Sequence, residues 1–138
     1  MLSSLDSIAW LLNLRGDDIK YTPLLCCYII IPHQGKIELF IDRSKIDHLT
    51  KDLSSLINFN PFEGVDDYLL SINLKKIIGI DEDLTPYHFK NICKKNGFNI
   101  QHFNNPCLYP KAVKNYTELK GARKANLRDG VSITKFLY

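Results

Sequence analysis

The chain has 138 residues, of which 45% are hydrophobic and 24% are charged, and its formal net charge is +3. This composition is typical of one folded globular domain and excludes disordered and collagen-like proteins. The longest apolar run, LLCCYIII at residues 24–31, is too short to cross a bilayer. The N-terminus lacks the basic start and the long apolar stretch of a signal peptide. We therefore expect a cytoplasmic protein without membrane contact.

The charge is distributed unevenly along the chain. Residues 111–138 contain seven Lys or Arg and two acidic residues, whereas residues 1–110 contain eleven and thirteen. A basic helix can bind nucleic acid. No aromatic residues alternate with these charges as a base-stacking surface would require. The pattern therefore favours the solvated side of an amphipathic helix over a nucleic-acid interface.

The first predicted element is a helix over residues 5–14. Asp6 or Ser7 can cap its start, and Gly16 is a typical residue just beyond a helix end.

A β-hairpin follows. The continuous apolar run at residues 24–31 is typical of a central strand that is covered on both faces. After the turn HQGK, the segment IELFID alternates as a partner strand, with Ile37, Leu39 and Ile41 on one face.

Helical and strand patterns then alternate. They predict helices over 43–56, 64–74 and 83–97 and strands over 57–62, 75–81 and 98–103. In the third helix Thr85 is the expected N-cap and Pro86 the first helical residue. The order of these elements predicts a layered α/β/α fold with a mixed sheet of about five strands.

The C-terminal part reads as an extended linker, NNPCLYPKAVKN, followed by a helix that Asn115 or Thr117 can cap. Its apolar residues recur at near-helical spacing: Leu119, Ala122, Leu127, Val131 and Phe136. Neither a Gly nor a Pro ends this helix. The helix could fray, pack against its own domain or pair with a second copy of the chain, and we expect pairing through these helices.

No catalytic template is present. The chain lacks a glycine-rich phosphate loop, an HExxH motif and a nucleophile elbow. The four cysteines have no CxxC spacing and are interpreted as packing residues. The acidic groups at 17–18, 66–67 and 81–83 occur mainly where acids cap helices, which favours a structural role over a metal site. We expect no catalytic residue and no metal ligand in this chain.

Two stretches resemble one enzyme family. SIAWLLNLRGDDIKYTPLLCCYIII, followed by LFID, is similar to the middle domain of three-domain, cytosolic-type Xaa-Pro aminopeptidases (aminopeptidases P), with the pattern IAWLxNLRGxD. PKAVKNYTELKGARKANLRDG is similar to the linker and first helix of their catalytic domain.

The resemblance implies a creatinase/prolidase N-terminal domain of ribonuclease H-like fold over residues 1–110. Residues 111–138 would be the linker and the truncated first helix of a pita-bread catalytic domain. In the family that domain holds two divalent metals, usually manganese. It releases the N-terminal residue of a peptide whose second residue is proline. The chain would be a non-catalytic fragment without a cofactor, whose partners are the catalytic domain and, in the intact enzyme, the peptide. The alternatives are a standalone protein-binding pseudo-enzyme module or a nucleic-acid-binding basic helix.

The resemblance also implies a substrate-cleft role for Trp10, Asn13, Arg15 and Asp18, with Arg15 as the charge that meets a peptide carbonyl or carboxylate. The structural alternative is that Trp10 packs in the core and that Arg15 pairs with Asp17 or Asp18. Asp17 and Cys27 depart from the small hydroxyl residues that are common in the family at these positions.

Overall fold

The computed structural model describes residues 1–45, 53, 55–73 and 75–138, which form two compact units, Met1–Cys107 and Leu108–Tyr138. Most of the helix predicted over 43–56 lies outside the described residues. Its first residues, Arg43–Lys45, form a short 3-10 helix.

The described residues of the first unit form five strands in two hydrogen-bonded sheets. The strands are β1 (Cys27–Ile30), β2 (Ile37–Ile41), β3 (Ile57–Pro61), β4 (Ile77–Ile80) and β5 (Asn99–His102). In the first sheet β1 pairs antiparallel with β2, and β2 pairs parallel with β3. In the second sheet β4 and β5 are parallel. The predicted hairpin and the mixed α/β fold are confirmed, with the strands divided between two ladders.

Helices cover both faces of the first sheet. They are α1 (Leu5–Leu12), α2 (Val65–Ser71, after a 3-10 turn at Phe62–Gly64) and α3 (Tyr87–Lys95). Successive strand side chains point to opposite faces. Ile29 and Leu39 therefore lie in one core cluster with α1, while Ile30 and Phe40 lie in a second with α2 and α3. Ile78 and Ile80 of β4 belong to this second cluster, so the two sheets share a core.

Met1 and Leu2 connect the two sheets. The Leu2 N–H donates to the Ile29 carbonyl of β1 (2.9 Å), and the Ile29 N–H donates back (3.1 Å). On the other side, the Met1 ammonium donates to the Gly79 carbonyl of β4 (2.8 Å). This dipeptide therefore lies between the sheets as a short bridging strand.

Helix α1 begins at the predicted residue, Leu5, but ends two residues earlier than predicted. Its N-cap is Ser4, whose hydroxyl donates to the Asp6 carboxylate (2.5 Å), and Ser7 is fully buried inside the helix. The expected caps Asp6 and Ser7 are therefore helical residues. The helix ends at Leu12 because Asn13 adopts the left-handed conformation (φ 52°, ψ 38°), three residues before the glycine expected to end it. Asn is one of the few residues other than Gly that adopt this conformation readily.

Helix α3 also differs from its predicted start. Pro86, expected as the first helical residue, is the N-cap, and the helix begins at Tyr87. The hydroxyl of Thr85, the predicted cap, is buried without a hydrogen-bond partner among the described residues. Thr85 instead donates its backbone N–H to the Asp81 carbonyl (3.0 Å), which closes the turn after β4.

A buried polar network joins this turn to α1. The Asn105 side-chain amide donates to the Ser7 hydroxyl (2.8 Å), and its carbonyl oxygen accepts from the Cys107 N–H (2.9 Å). The Asn105 backbone N–H donates to the Asp81 carboxylate (2.6 Å), whose other oxygen accepts from Asp83 and Leu84. Asp81 therefore acts as a backbone cap, as the sequence indicated for this acidic group.

The second unit consists of two helices, α4 (Leu108–Ala112) and α5 (Tyr116–Leu137). Helix α4 occupies part of the segment predicted as an extended linker. The predicted C-terminal helix is confirmed, and Asn115 caps it with a reciprocal capping box to Glu118 (2.9 and 2.8 Å). No residue of α5 is buried.

The apolar residues of α5 do not all share one face. At 3.6 residues per turn, Leu119, Leu127 and Val131 fall within an arc of about 120°. Phe136 lies five residues after Val131, which rotates it by about 140° away from that residue. The exposed stripe of α5 is therefore Leu119, Leu127 and Val131, and the predicted face that included Phe136 is corrected.

The buried network gives a stability prediction. Asn105→Ala removes the hydrogen bonds that the Asn105 side chain makes to the Ser7 hydroxyl and to the Cys107 N–H, in a site where Asn105 is 3% exposed. We expect the free energy of unfolding to fall by about 2–4 kcal/mol, since each buried unsatisfied group costs about 1–3 kcal/mol. Urea denaturation measures this.

The matched control is Asn126→Ala, because Asn126 is an exposed helical residue whose side chain donates to the Ala122 carbonyl four residues earlier. Its effect should stay within about 0.5 kcal/mol. Equal effects of the two substitutions would contradict a supporting role for the Asn105 network.

Candidate functional site

The residues predicted to face a substrate cleft lie on α1 and on the loop that follows it. We call residues 13–18 the NLRGDD segment. Asn13 and Arg15 are exposed, Asp18 is half-buried, and Trp10 lies on α1, half-buried against the α1-side core. The structure thus places three of the four predicted residues on one continuous loop. The fourth, Trp10, packs against the core, as the structural alternative stated.

The backbone of this segment is fixed from its first residues. The left-handed turn at Asn13 lets Leu14 return to the helix, where its N–H donates to the Ala9 carbonyl (3.1 Å) and its side chain is 3% exposed. At Gly16 the backbone lies so close to Leu25 that an added Cβ would be 2.1 Å from a Leu25 methyl group. The position therefore admits only glycine without repacking the core.

Arg15 closes the end of α1. One guanidinium nitrogen, Nη1, donates to the carbonyls of Ala9 (2.8 Å) and Leu14 (2.7 Å). A positive charge at a helix C-terminus is favourable because the helix dipole is negative there. The guanidinium does not pair with Asp17 or Asp18 among the described residues, so that alternative is not formed. Its Nε and Nη2 donors point to no described partner, and three N–H groups stay available for a ligand.

Asp18 anchors the other end of the segment. One carboxylate oxygen accepts from the Cys26 N–H (2.6 Å), just before β1, and the other accepts from Lys45 Nζ (2.5 Å), after β2. The hydrogen bond from Lys45 holds the pKa of Asp18 below its ordinary value of 3.8. The same contact raises the pKa of Lys45. Sequence reasoning missed Lys45, because a partner 27 residues away leaves no local pattern.

The cysteines near this site have different environments. Cys26 is exposed and Cys27 is buried, as expected for neighbours on opposite faces of a strand. Burial raises the pKa of the Cys27 thiol to about 12, so this thiol is inert at neutral pH. Cys93 and Cys107 are buried as well, which fits the packing interpretation, whereas packing does not account for Cys26.

The acidic groups do not form a metal centre within the described part of the chain. No group of three or more His, Cys, Asp or Glu lies together there. The oxygens of Asp18 and Asp81 already accept the hydrogen bonds described above, and Asp66 contacts His88 (2.7 Å). These residues do not fit a dinuclear metal site.

Residues 1–118 match the family described as the creatinase/prolidase N-terminal domain. Xaa-Pro aminopeptidase 1 of Dictyostelium discoideum is 39% identical over 141 residues, covering 99% of this chain and 22% of that protein. The probable Xaa-Pro aminopeptidase P of Coccidioides posadasii is 31% identical, covering 99% and 23%.

A solved structure is also similar. The crystal structure of X-prolyl aminopeptidase from Caenorhabditis elegans superimposes with a TM-score of 0.80 at 27% identity, covering 96% of this chain and 22% of that chain. It is described as a cytosolic enzyme with a di-nuclear active site. In the described ranges, no helix of the present chain is long and apolar enough to cross a membrane. The chain spans about a fifth of the length of these relatives.

The Asp18 anchor predicts a pH-dependent effect. A carboxyl whose pKa is lowered by folding stabilises the fold above its ordinary pKa, and this stabilisation is lost as the pH falls through the lowered value. We expect Asp18→Asn to reduce the free energy of unfolding by about 1–2 kcal/mol at pH 7. The difference from the unsubstituted chain should begin to shrink below pH 3.8, the ordinary value, and vanish once the pH is below the lowered pKa of Asp18 and the carboxyl is protonated.

Urea denaturation across this pH range measures the difference. Asp17→Asn is the control, because Asp17 is the exposed neighbour with the same charge. A pH-independent difference for Asp18→Asn would contradict the ionic anchor.

Proposed function

Because the chain belongs to the creatinase/prolidase N-terminal domain family, we propose that it is a non-catalytic part of a proline-specific aminopeptidase. The names of its relatives, together with the small share of their length that the chain spans, support this assignment. Chemistry would take place on a separate catalytic domain that holds two divalent metals, usually manganese. The similar X-prolyl aminopeptidase is described as a cytosolic enzyme, which supports a cytosolic location for this chain.

The NLRGDD segment is the part that we propose acts on substrate, by limiting which peptides enter the cleft. One observation carries this proposal: the segment is anchored to α1 through Arg15 and to residues Cys26 and Lys45 through Asp18, yet it exposes Asn13 and Arg15. A rigid loop positions a charge with little loss of conformational entropy on binding. A guanidinium with three N–H donors still available suits a peptide carbonyl or carboxylate.

Helix α5 is proposed as a contact surface for the catalytic domain and, in the isolated chain, for a second copy. Its stripe is open to solvent, with Leu119 43% exposed, Leu127 72% and Val131 48%. Burying each such side chain is worth about 1.5–3 kcal/mol. An isolated helix of this length is also marginal without a packing partner. The free energy gained by burying these side chains and the marginal stability of an isolated helix both favour association through this face.

A chimeric enzyme tests the substrate role of Arg15. Residues 1–118 replace the matching segment of the Dictyostelium enzyme, and the chimera is assayed on Xaa-Pro peptides with and without Arg15→Ala. We expect Arg15→Ala to lower kcat/KM by about tenfold through KM, since a lost charged hydrogen bond is worth about 1.5–3 kcal/mol. The isolated chain with manganese should show no turnover.

Arg43→Ala is the control, because Arg43 is an exposed arginine outside the NLRGDD segment. An unchanged KM for Arg15→Ala, at unchanged thermal stability, would remove Arg15 from substrate contact. Chelator-sensitive turnover by the isolated chain would overturn the non-catalytic assignment.

The α5 surface gives a separate prediction on self-association. Val131→Glu should weaken dimerisation at least tenfold, because it places a charge in the apolar stripe. Ser132→Glu adds the same charge about 100° around the helix and should have little effect. Analytical ultracentrifugation from micromolar to millimolar concentration measures both variants. A strictly monomeric parent chain would contradict pairing through α5.

A further inference from the structure

A tight turn directly follows the NLRGDD segment, and we call it the tip turn (residues 19–22). The Thr22 N–H donates to the Ile19 carbonyl (2.9 Å), and these two residues form an isolated antiparallel bridge. Below the bridge, the Asp18 N–H donates to the Leu24 carbonyl (3.3 Å). Because the Asp18 carboxylate is anchored as well, the tip turn starts from a fixed base.

Tyr21 in the tip turn has a backbone conformation that is unusual for its residue type. Its φ is 64°, and within the described residues only Asn13 shares a positive φ among residues other than glycine. The φ of Lys20 is not positive, so the left-handed residue is the third of the four, as in a type II turn. That position favours Gly or Asn, because a side chain crowds the backbone there. Asn13 meets this preference in its own turn, whereas an aromatic residue does not.

The Tyr21 side chain gains little from its own chain in return. It is 93% exposed, and its partner among the described residues is the Lys20 ammonium, which lies 5.1 Å from the ring centroid. A cation–π contact between two exposed groups is weak. Tyr21 therefore combines an unfavourable backbone conformation with almost no packing. Residues that lower the stability of their own chain in this way are typical of sites that act on a partner.

We propose that Tyr21 contacts the peptide substrate beyond its proline, where the ring packs on an apolar side chain. This inference rests on the proposed function as part of a proline-specific aminopeptidase. Such an enzyme holds the amino end of the peptide at the reacting atoms, so the residues after the proline lead away from the catalytic centre. A separate domain that limits entry therefore meets that part of the peptide.

The chemistry of the tip turn suits this contact. Lys20 lies over one face of the Tyr21 ring, and the high exposure of the side chain leaves the rest of the ring open. Aromatic rings pair with one another through a face or an edge, and tyrosines are frequent centres of binding energy. Lys20 and Arg15 add positive charges that suit peptide carbonyls and carboxylates. We therefore expect a preference for peptides whose third residue is aromatic.

Thermal unfolding of the full chain tests whether Tyr21 is present for stability. Tyr21→Asn removes the ring and introduces a residue that the type II turn accepts. We expect its melting temperature to lie about 2 °C above that of the unsubstituted chain, because the turn relaxes and no packed contact is lost. A lower melting temperature would overturn the inference, since the ring would then stabilise its own chain.

Turnover tests the contact with the peptide. The chimeric enzyme that carries residues 1–118 is assayed on Ala-Pro-Phe-Ala and Ala-Pro-Gly-Ala, which have the same length and charge. We expect the ratio of their kcat/KM values, Phe over Gly, to fall about tenfold in Tyr21→Asn, since the aromatic pair and its buried area are lost. Tyr21→Phe should retain the ratio. Tyr87→Asn is the matched control, because Tyr87 is an exposed tyrosine on α3, and it should retain the ratio as well.

The possible failures of the contact and of the proposed function are distinguishable. A folded chimera that turns over neither peptide would overturn the proposed function and this inference with it. A chimera that turns over both peptides, with the same ratio in Tyr21→Asn as in its parent, would overturn the Tyr21 contact alone. An equal fall of the ratio in Tyr87→Asn would also overturn that contact, because the loss would not be specific to the tip turn.

Discussion

The hydrogen bonds of Met1 and Leu2 to strands of two different sheets are the contacts on which the first unit depends. They set the spacing of β1 and β4 at one end, where Leu2 bonds to Ile29 and Met1 to Gly79. Because the strands are held side by side, Ile30 and Ile78 can contribute to one core cluster under α2 and α3. The two ladders thus act as one layer although no direct ladder joins them within the described residues.

The same few residues determine where α1 lies. The helix begins directly after the bridging dipeptide, and Ser3 donates to the Leu84 carbonyl (2.8 Å) beyond β4. Ser7, inside α1, accepts from Asn105, which is held in turn by Asp81. Helix α1 is therefore fastened to β4 at its start and to β1 through the Asp18 anchor after its end. The position of the NLRGDD segment is a consequence of both attachments.

Sequence reasoning predicted the features that depend on local pattern. The alternation of Ile37, Leu39 and Ile41, the caps Asn115 and Glu118, and the opposite orientation of Cys26 and Cys27 are local, and the structure confirms them. The predicted end of α1 was wrong because two nearby residues of low helix propensity, Asn13 and Gly16, can each end a helix, and the first of them does so here. The contacts that join distant residues, such as Lys45 with Asp18 and Asn105 with Ser7, leave no periodic signal and could not be predicted.

The contacts also divide the four predicted site residues by role. Both Asp18 oxygens are engaged, and Trp10 packs against the core, so these two residues position the segment. Asn13 supplies the left-handed turn that ends α1. Arg15 alone among them combines an anchored guanidinium nitrogen with donors that point to no described partner. A loop whose other members are committed to structure holds that one cation in a defined place, which is the property that a residue at the rim of a substrate cleft requires.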